Sequence, residues 1–298
     1  MRSIHVHRSM LSVPVHIERF VEKAPLCGAD ALMLDLEDSV PMRLKDAARA
    51  ALPRAVEVAG RGGAELIVRI NKPWELTYRD LDAAVMPGVA GILLPKVEAP
   101  EDVVAIDRLI EEREFRAGLE PRSIYLFVAT ETARGLLRDV DIATASPRIR
   151  YISSGVEDLA TDLEVELTDD AWELFYSKAR IIIVAVGAGL EPIGLLGRVS
   201  DYTDLESFRR TALRSRRLGF RGGTCIHPAQ VPILNEVFTP TAEEVAKATR
   251  IISAAEAAES AGRGAFGLNG QMMDIPSVER ARRLLDRAHA IRERSATL

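Results

Sequence analysis

Three acidic residues crowd the end of one apolar segment. The segment ALMLDL, residues 31–36, is typical of a buried strand, yet it contains Asp35 and is followed at once by Glu37 and Asp38. Ionised carboxylates are costly to bury unless they are paired, protonated or bound to a metal ion. The pattern therefore predicts a charged site at the end of this strand.

Each of these acids also has a purely structural interpretation. Asp38 could cap the segment that leads into LKDAAR. Asp35 and Glu37 lie two residues apart, so they point the same way from a strand and could be interior ion-pair partners of Arg8 or Lys96. The strand by itself does not separate these alternatives from a chemical role.

Chemically useful side chains also follow the other apolar segments of the chain. They are Arg69 near the end of ELIVRI and Asn71 directly after it, Lys96 after GILLP, Glu131 after IYLFVAT, Glu157 and Asp158 after RYISS, and His227 after GTCI. If these segments are the strands of a closed parallel barrel, all of their carboxyl ends share the face that holds the active site. The set predicts a site for a cation and an anionic substrate. Lys96 could instead be a structural ion-pair partner, and His227 could only hold its loop.

Glu131 and Asp158 are the best candidates for metal ligands. They follow separate strands, and each lies in an otherwise apolar stretch. Two carboxylates suit Mg²⁺, which takes oxygen ligands and usually keeps water or substrate oxygens in its other positions. The sequence therefore predicts a magnesium site between these two residues.

The elements that must position these residues alternate between short apolar runs and longer helical patterns. The predicted strands cover residues 9–13, 31–36, 65–70, 91–95, 124–130, 150–154, 192–196 and 223–226. This alternation indicates βαβ units and a parallel sheet. The run RIIIVAVGAG could be a strand, but apolar residues three and four apart extend through AWELFYSKARIIIVAVGAG and favour a buried helix.

After the last predicted strand the sequence no longer alternates between strand and helix patterns. A capped helix over TPTAEEVAKATRIISAAEAAESAG, a glycine-rich loop over RGAFGLNGQMMDIPS and a final helix over VERARRLLDRAHAIRERS do not fit inside an eight-fold barrel. We therefore predict a barrel domain over residues 1–238 and a helical extension over residues 239–298.

Composition narrows the classes of function. The chain has 298 residues, 47% of them hydrophobic and 28% charged, a net charge of -5 and two cysteines outside any CxxC pair. No basic block predicts binding to nucleic acid or to an anionic membrane, and no apolar run approaches the length of a membrane span. The N-terminus lacks the apolar core of a signal peptide. We expect a cytoplasmic protein.

As a set, the motifs resemble those of a known family. RSMLSVP, DALMLDLEDSV, VRIN, LPKVE, GVEDLATDL, CIHPAQ, FTPTAEEV and GLNGQMMD occur in order from Arg8 to about Leu285. They are similar to the citrate lyase β-subunit-like lyases of the HpcH/HpaI aldolase superfamily, which includes malyl-CoA and citramalyl-CoA lyases. The resemblance implies an α/β fold, a (β/α)8 TIM barrel whose C-terminal helical extension forms a lid over a neighbouring subunit of a trimer or hexamer.

The resemblance also implies roles for single residues. Glu131 and Asp158 match ligands of Mg²⁺, or of Mn²⁺ in its place, and Arg69 matches the arginine that holds the substrate's oxygens. Asp274 matches an acid or base that a neighbouring subunit supplies. Arg8 matches a basic residue near the substrate or the CoA, and Lys45 and Arg49 match basic positions near the CoA nucleotide. On this interpretation Glu37 would position Arg69 or Lys96, Asp38 would bind a metal-bound water or a substrate group, and Lys96 would bind substrate.

The implied activity is cleavage of a 3-hydroxyacyl-CoA thioester, such as citramalyl-CoA or malyl-CoA, into acetyl-CoA and a 2-oxo acid. Three alternatives stay open. The chain could be the β-subunit of a multi-subunit citrate lyase that acts on a carrier-bound citryl group. It could also be a non-catalytic metabolite-binding subunit of an assembly, or an aldolase that uses free pyruvate.

Overall fold

The structure is a computed structural model that describes residues 5–260, 265–268 and 271–297. The chain forms two compact units. One spans His7–Phe238, and the other is made by the chain after Phe238 together with the residues before His7. In the described part of the chain, we find no helix with the length and apolarity that a bilayer crossing requires.

The first unit is built on eight parallel strands. They are β1 (Ser9–Pro14), β2 (Ala31–Asp35), β3 (Glu65–Arg69), β4 (Gly91–Leu94), β5 (Tyr125–Ala129), β6 (Ile149–Ser153), β7 (Glu191–Pro192) and β8 (Gly223–Cys225). The sheet order is β7-β6-β5-β4-β3-β2-β1-β8. All eight predicted strands are present, although β7 begins one residue earlier than predicted and has two residues only.

The two edge strands of this sheet approach each other. The amide of Gly194 donates to the carbonyl of Gly222, and the amide of Arg221 donates to the carbonyl of Pro192, each at 3.0 Å. These bonds connect the chain beside β7 to the chain before β8. The sheet is therefore curled, which is consistent with a TIM-barrel-like fold, and the predicted α/β class is confirmed.

Helices follow most of the strands. In the first unit they are α1 (Glu18–Lys23), α2 (Lys45–Ala59), α3 (Trp74–Ala84), α4 (Pro100–Arg116), α5 (Ala133–Leu137), α6 (Asp139–Ala143), α7 (Glu157–Asp162), α8 (Phe175–Ala188), α9 (Leu205–Leu218) and α10 (Val231–Val237). The helical interpretation of RIIIVAVGAG is confirmed, because this run is the end of α8. The short helices α7 and α10 were not predicted, since neither is long enough to show a helical period.

The sheet separates two layers of core. Along β2, Leu32 and Leu34 pack in the large cluster between sheet and helices, while Met33 belongs to the cluster inside the curled sheet. Successive side chains of a strand point to opposite faces, so Asp35 shares the inner face with Met33. Gly91 shows how tight this interior is, since a Cβ there would lie 2.4 Å from a ring carbon of Tyr125.

The second unit contains two long helices, α11 (Ala242–Ser260) and α12 (Ile275–Thr297), which pack through Ala248, Ile251 and Ala281. The predicted cap of the first helix is present, because Glu244 and Thr241 exchange backbone-to-side-chain hydrogen bonds of 2.7 and 3.2 Å.

We predicted that the glycine-rich segment between these helices is a loop, but the structure shows a strand pair there. The segment contains β9 (Phe266–Leu268) and β10 (Gln271–Met273), which pair antiparallel. Four of its residues, 263, 264, 269 and 270, lie outside the described residues. The lid function of this segment stays a prediction.

Candidate active site

The carboxyl ends of β2 and β3 bring the first two functional residues side by side. The register pairs Asp35 with Arg69. Arg69 donates from Nε and Nη2 to the two Asp35 oxygens, both at 2.7 Å, so the pair is bidentate. Burial alone would raise the pKa of Asp35, but the hydrogen bonds and charge of Arg69 hold it below its ordinary value. The partner of Asp35 is therefore Arg69, and not Arg8 or Lys96 as we expected.

Glu37 connects this pair to Lys96. Its Oε2 lies 3.0 Å from Nη1 of Arg69, and its Oε1 accepts a 2.7 Å hydrogen bond from Nζ of Lys96. Burial raises the pKa of Glu37, and the neighbouring cations offset only part of that rise. Glu37 therefore contacts both cations and holds them on the same side of the sheet.

Lys96 joins three carboxylates, two from the loop after β2 and one from the first turn of α7. Its Nζ lies 2.7 Å from Glu37, 2.9 Å from Asp38 and 3.4 Å from Asp158. Burial opposes the charged form, but the hydrogen bonds to Glu37 and Asp38 raise the pKa of Lys96 above its ordinary value. Its backbone has a φ of 52°, the left-handed region that non-glycine residues rarely adopt. In that conformation its amide donates to Glu131 Oε2 at 2.9 Å.

Glu131 and Asp158 interact electrostatically, although they come from different loops. Burial, followed by repulsion from Asp158, raises the pKa of Glu131 to about 7. Gly155 makes room for the Glu131 carboxylate, because a Cβ at that position would lie 2.7 Å from Glu131 Oε1. Asp158 stands in the first turn of α7 and is 39% exposed.

Lys178 is a residue of this site that the sequence did not identify. It lies on α8, is fully buried, and donates to the carbonyls of Ser154 and Gly155. Burial lowers the pKa of Lys178 to about 7, against the opposing charge of Glu131. The sequence does contain a signal for it, because Lys178 lies on the same apolar face of the helix as Ile181 and Ala185.

Part of this set of residues lines a cavity of ≈ 200 Å³. Its lining includes Arg69, Glu131, Asp158 and Lys178, with Phe127 on the inner face. Among the described residues, no three Asp, Glu, His or Cys side chains are grouped to enclose a metal ion. The protein therefore offers a carboxylate pair, and Mg²⁺ is commonly bound by one or two carboxylates with water and substrate oxygens completing the shell. The donor set fits that ion.

Arg8 does not join these residues, and its predicted contact with substrate gains no support from its position. Its Nε and Nη2 donate to Asp30 at 2.8 and 2.7 Å, and its backbone amide donates to the same carboxylate. Arg8 precedes β1 and Asp30 precedes β2. This buried ion pair lies at the amino ends of the strands, opposite the face where the other residues meet.

The charges of Lys45 and Arg49 are taken up by the protein itself, and their CoA contacts stay a prediction. Lys45 is buried on α2 and donates to the carbonyls of Leu36 and Glu37 at 2.7 and 2.6 Å. Arg49 is buried one turn later and donates to Asp80 at 2.6 Å. Both cations hold the protein's own backbone and carboxylates, and neither offers an exposed charge to a nucleotide.

Two other polar residues from the strand ends have local roles. Asn71 is buried and donates to Leu36 O and to Asp80 at 2.9 and 2.6 Å. His227 caps a short 3-10 turn, with its Nδ1 accepting from the amide of Ala229 at 3.2 Å. Neither contacts the carboxylate cluster.

Asp274 belongs to the second unit, where it precedes α12. It accepts hydrogen bonds from the amide and hydroxyl of Ser277 at 3.2 and 2.9 Å. The Ser277 hydroxyl, followed by its amide, lowers the pKa of the exposed Asp274. Its role as the acid or base of a neighbouring subunit stays a prediction.

Comparison with known proteins places this site in a family. The model of the HpcH/HpaI aldolase/citrate lyase family matches residues 8–228. The citrate lyase subunit beta of Escherichia coli is 38% identical over 288 residues, which cover 96% of this chain and 95% of that protein. The L-malyl-CoA/beta-methylmalyl-CoA lyase of Cereibacter sphaeroides is 33% identical, with 96% of this chain and 95% of that protein covered.

A solved structure supports the same assignment. CitE from Mycobacterium tuberculosis, in complex with magnesium, acetoacetate and coenzyme A, is 28% identical with a TM-score of 0.74, and the match covers 97% of this chain and 100% of that one. A citrate lyase from Burkholderia xenovorans shares the fold, with a TM-score of 0.81 at 22% identity and coverage of 99% and 97%. This chain belongs to the HpcH/HpaI aldolase/citrate lyase family.

Proposed function

We propose that this protein is a Mg²⁺-dependent carbon–carbon lyase that cleaves a 3-hydroxyacyl-CoA thioester into acetyl-CoA and a 2-oxo acid. The substrate would be of the citramalyl-CoA or malyl-CoA type. The observation that carries the proposal is the carboxylate pair Glu131 and Asp158, which lines one cavity together with Arg69, while Lys96 contacts both carboxylates. The lyase names of the relatives and the magnesium and CoA of the M. tuberculosis complex support it.

Glu131 and Asp158 would hold the cation, Mg²⁺ or Mn²⁺ in its place. When bound there, a divalent cation would stabilise negative charge on the substrate's hydroxyl and carboxylate oxygens. The protein surroundings suit this, because five carboxylates, from Asp35, Glu37, Asp38, Glu131 and Asp158, lie around the two cationic side chains of Arg69 and Lys96.

Arg69 would orient the keto acid portion of the substrate. Asp35 and Glu37 fix its guanidinium from two sides, so little reorganisation is needed when charge develops on an oxygen beside it. Lys96 would bind the acidic end of the substrate, with Asp38 setting the position of its ammonium group. Glu37 acts through both cations and is a positioning residue.

Cleavage requires two proton transfers. The substrate hydroxyl gives its proton to a solvent water as the bond between the carbinol carbon and the thioester α-carbon breaks. The carbinol carbon becomes the carbonyl carbon of the 2-oxo acid, and the electron pair of the broken bond passes to the thioester enolate. The enolate carbon then gains a proton to form acetyl-CoA. We assign this second transfer to Asp274 of a neighbouring subunit, in a closed (β/α)8 barrel that assembles as a trimer or hexamer.

A panel of acyl-CoA thioesters would test the activity. We expect the purified chain with Mg²⁺ to release acetyl-CoA from at least one 3-hydroxy dicarboxyl-CoA, as detected by mass spectrometry, and to lose that activity in Glu131→Gln. Absence of acetyl-CoA from every member of the panel would overturn the proposal and would favour a non-catalytic metabolite-binding subunit.

A second candidate is the β-subunit of a multi-subunit citrate lyase, which acts on a carrier-bound citryl group. The higher identity to the E. coli citrate lyase subunit, 38% against 33% for the malyl-CoA lyase, favours it. Cleavage of a citryl thioester on an acyl carrier protein, without cleavage of the same group on free CoA, would identify this alternative.

A further inference from the structure

Lys178 has an unusual environment for a lysine. It stands on α8, outside the sheet, and its side chain is 0% exposed. Lysine is almost never fully buried unless its ammonium group is paired. Its hydrogen-bond partners are the carbonyls of Ser154, by a short bond, and of Gly155 at 3.3 Å. A buried amino group that donates to two consecutive carbonyls holds the backbone at that point.

The backbone that Lys178 holds leads directly to Asp158. Ser154 and Gly155 follow β6, and α7 begins at Glu157. Gly155 also packs against the Glu131 carboxylate, where even a methyl group would lie 2.7 Å from Oε1. The absence of a side chain at Gly155 lets the loop lie beside the Glu131 carboxylate, and Lys178 holds the same loop from α8.

The loop after β2, which lies four strands from β6 in the sheet order, is held in a similar way. Lys45, on α2, is buried and donates to the carbonyls of Leu36 and Glu37 at 2.7 and 2.6 Å. Those carbonyls belong to the loop after β2, which carries Glu37 and Asp38. In both cases a helix outside the sheet supplies a lysine that fixes the loop following a strand, and in both cases that loop carries carboxylates of the site.

We propose that Lys178 is a positioning residue that clamps the loop after β6, so that Asp158 is held at a fixed separation from Glu131. Lys178 acts through the backbone and does not touch the substrate. The inference rests on the proposed function, because the two carboxylates are the proposed ligands of the cation. Groups that orient metal ligands from outside commonly contribute roughly 10–100-fold to metal affinity.

Lys178→Met tests the clamp, since methionine fills similar volume without donors. Lys178→Arg is the conservative variant, and Lys247→Met, at an exposed position of α11, is the matched control. Two measurements are made without acyl-CoA. Hydrogen–deuterium exchange follows the peptide covering residues 153–162, and electron paramagnetic resonance measures Mn²⁺ affinity. Turnover is then measured as kcat and KM separately.

In Lys178→Met we expect the backbone amides of this peptide to exchange faster and the affinity for Mn²⁺ to fall about tenfold or more. We expect kcat to fall while KM stays close to that of the native chain. Lys178→Arg should recover part of the affinity, and Lys247→Met should match the native chain. A folded Lys178→Met with native exchange and native Mn²⁺ affinity would overturn the proposal.

If circular dichroism shows that Lys178→Met does not fold, Lys178→Gln takes its place, since glutamine removes the ammonium group and keeps a polar side chain. Faster exchange of residues 153–162 with weaker Mn²⁺ binding then supports the clamp, and native exchange with native affinity rejects it. These measurements also distinguish failure of the clamp from failure of the proposed function. A native chain that binds no Mn²⁺ would refute the metal site, while the exchange of residues 153–162 in Lys178→Met would still decide whether Lys178 holds the loop.

Discussion

The backbone amide of Lys96 donates to Glu131 Oε2 at 2.9 Å, from a residue whose φ is 52°. The same residue extends its Nζ to 3.4 Å from Asp158. One lysine therefore contacts both proposed metal ligands, one through its backbone and the other through its side chain. A left-handed backbone at a non-glycine residue is strained, and such strain is concentrated at functional sites.

Removing the Lys96 side chain should separate metal binding from substrate binding. In Lys96→Met the backbone donor to Glu131 is kept, while Glu37, Asp38 and Asp158 lose a positive neighbour. We expect Mn²⁺ affinity to be unchanged or higher, and KM for an anionic acyl-CoA to rise about tenfold, which corresponds to roughly 1.4 kcal/mol. Isothermal titration and steady-state kinetics measure the two effects. Weaker metal binding would show that the lysine orients the carboxylates instead.

Metal binding should depend on pH around neutrality, because burial and Asp158 raise the pKa of Glu131 to about 7. Below that pH a proton competes for the carboxylate, so Mg²⁺ affinity should fall by up to about tenfold per pH unit. Titrations at pH 6 in buffers with different ionisation enthalpies should show proton release on Mg²⁺ binding. No release would mean that Glu131 is already ionised at pH 6.

The same shift predicts a pH-dependent stability of the metal-free protein. The pKa of Glu131 is higher in the folded state than in the unfolded state, so the folded state binds more protons between about 4.5 and 7. The free energy of unfolding should therefore fall as pH rises through this window. Glu131→Gln lacks the titration, and its stability relative to the native chain should increase from pH 5 to pH 7.5 in urea unfolding with chelator present. A constant difference would contradict the raised pKa.

The pair of Arg69 and Asp35 should be a large contributor to local stability. Arg69→Met leaves the fully buried Asp35 carboxylate without its bidentate partner. Breaking a buried pair in this way typically costs about 3–5 kcal/mol. We expect urea unfolding to show a loss of that order, and Asp35→Asn combined with Arg69→Met to recover part of it. Equal stability of the single and double variants would indicate that the pair is not coupled.

Asp274→Asn should lower turnover without changing stability. Asparagine caps a helix about as well as aspartate, so the contact with Ser277 at the start of α12 can be kept. The substitution removes only the ability to accept and return a proton. We expect a fall in kcat of about 100-fold or more, within the usual range for general acid–base groups, at unchanged Tm and Mn²⁺ affinity. Native turnover would remove Asp274 from the mechanism, and a stable active monomer in light scattering would exclude its supply by a neighbour.

The order of elements and the position of the site could be read from the amino-acid sequence. Strand and helix periods differ, so the alternation was visible, and chemically useful residues stood after the strands whose carboxyl ends meet. Asp35, Arg69, Lys96, Glu131 and Asp158 were all identified in this way. The strand with two residues, β7, and the helices α7 and α10 were less well predicted because short segments carry too little periodicity.

The tertiary structure alone decided which charges meet. Arg8, Lys45 and Arg49 have the residue type of an anion-binding group, yet each is buried against a carboxylate or carbonyl that lies nine or more residues away in the sequence or on another element. Conversely, Lys178 and Gly155 reach the site only because α8 packs beside β6. Periodicity and chain order determine where a side chain leaves its own element. Which group it meets depends on long-range packing, and no local pattern of residues contains that information.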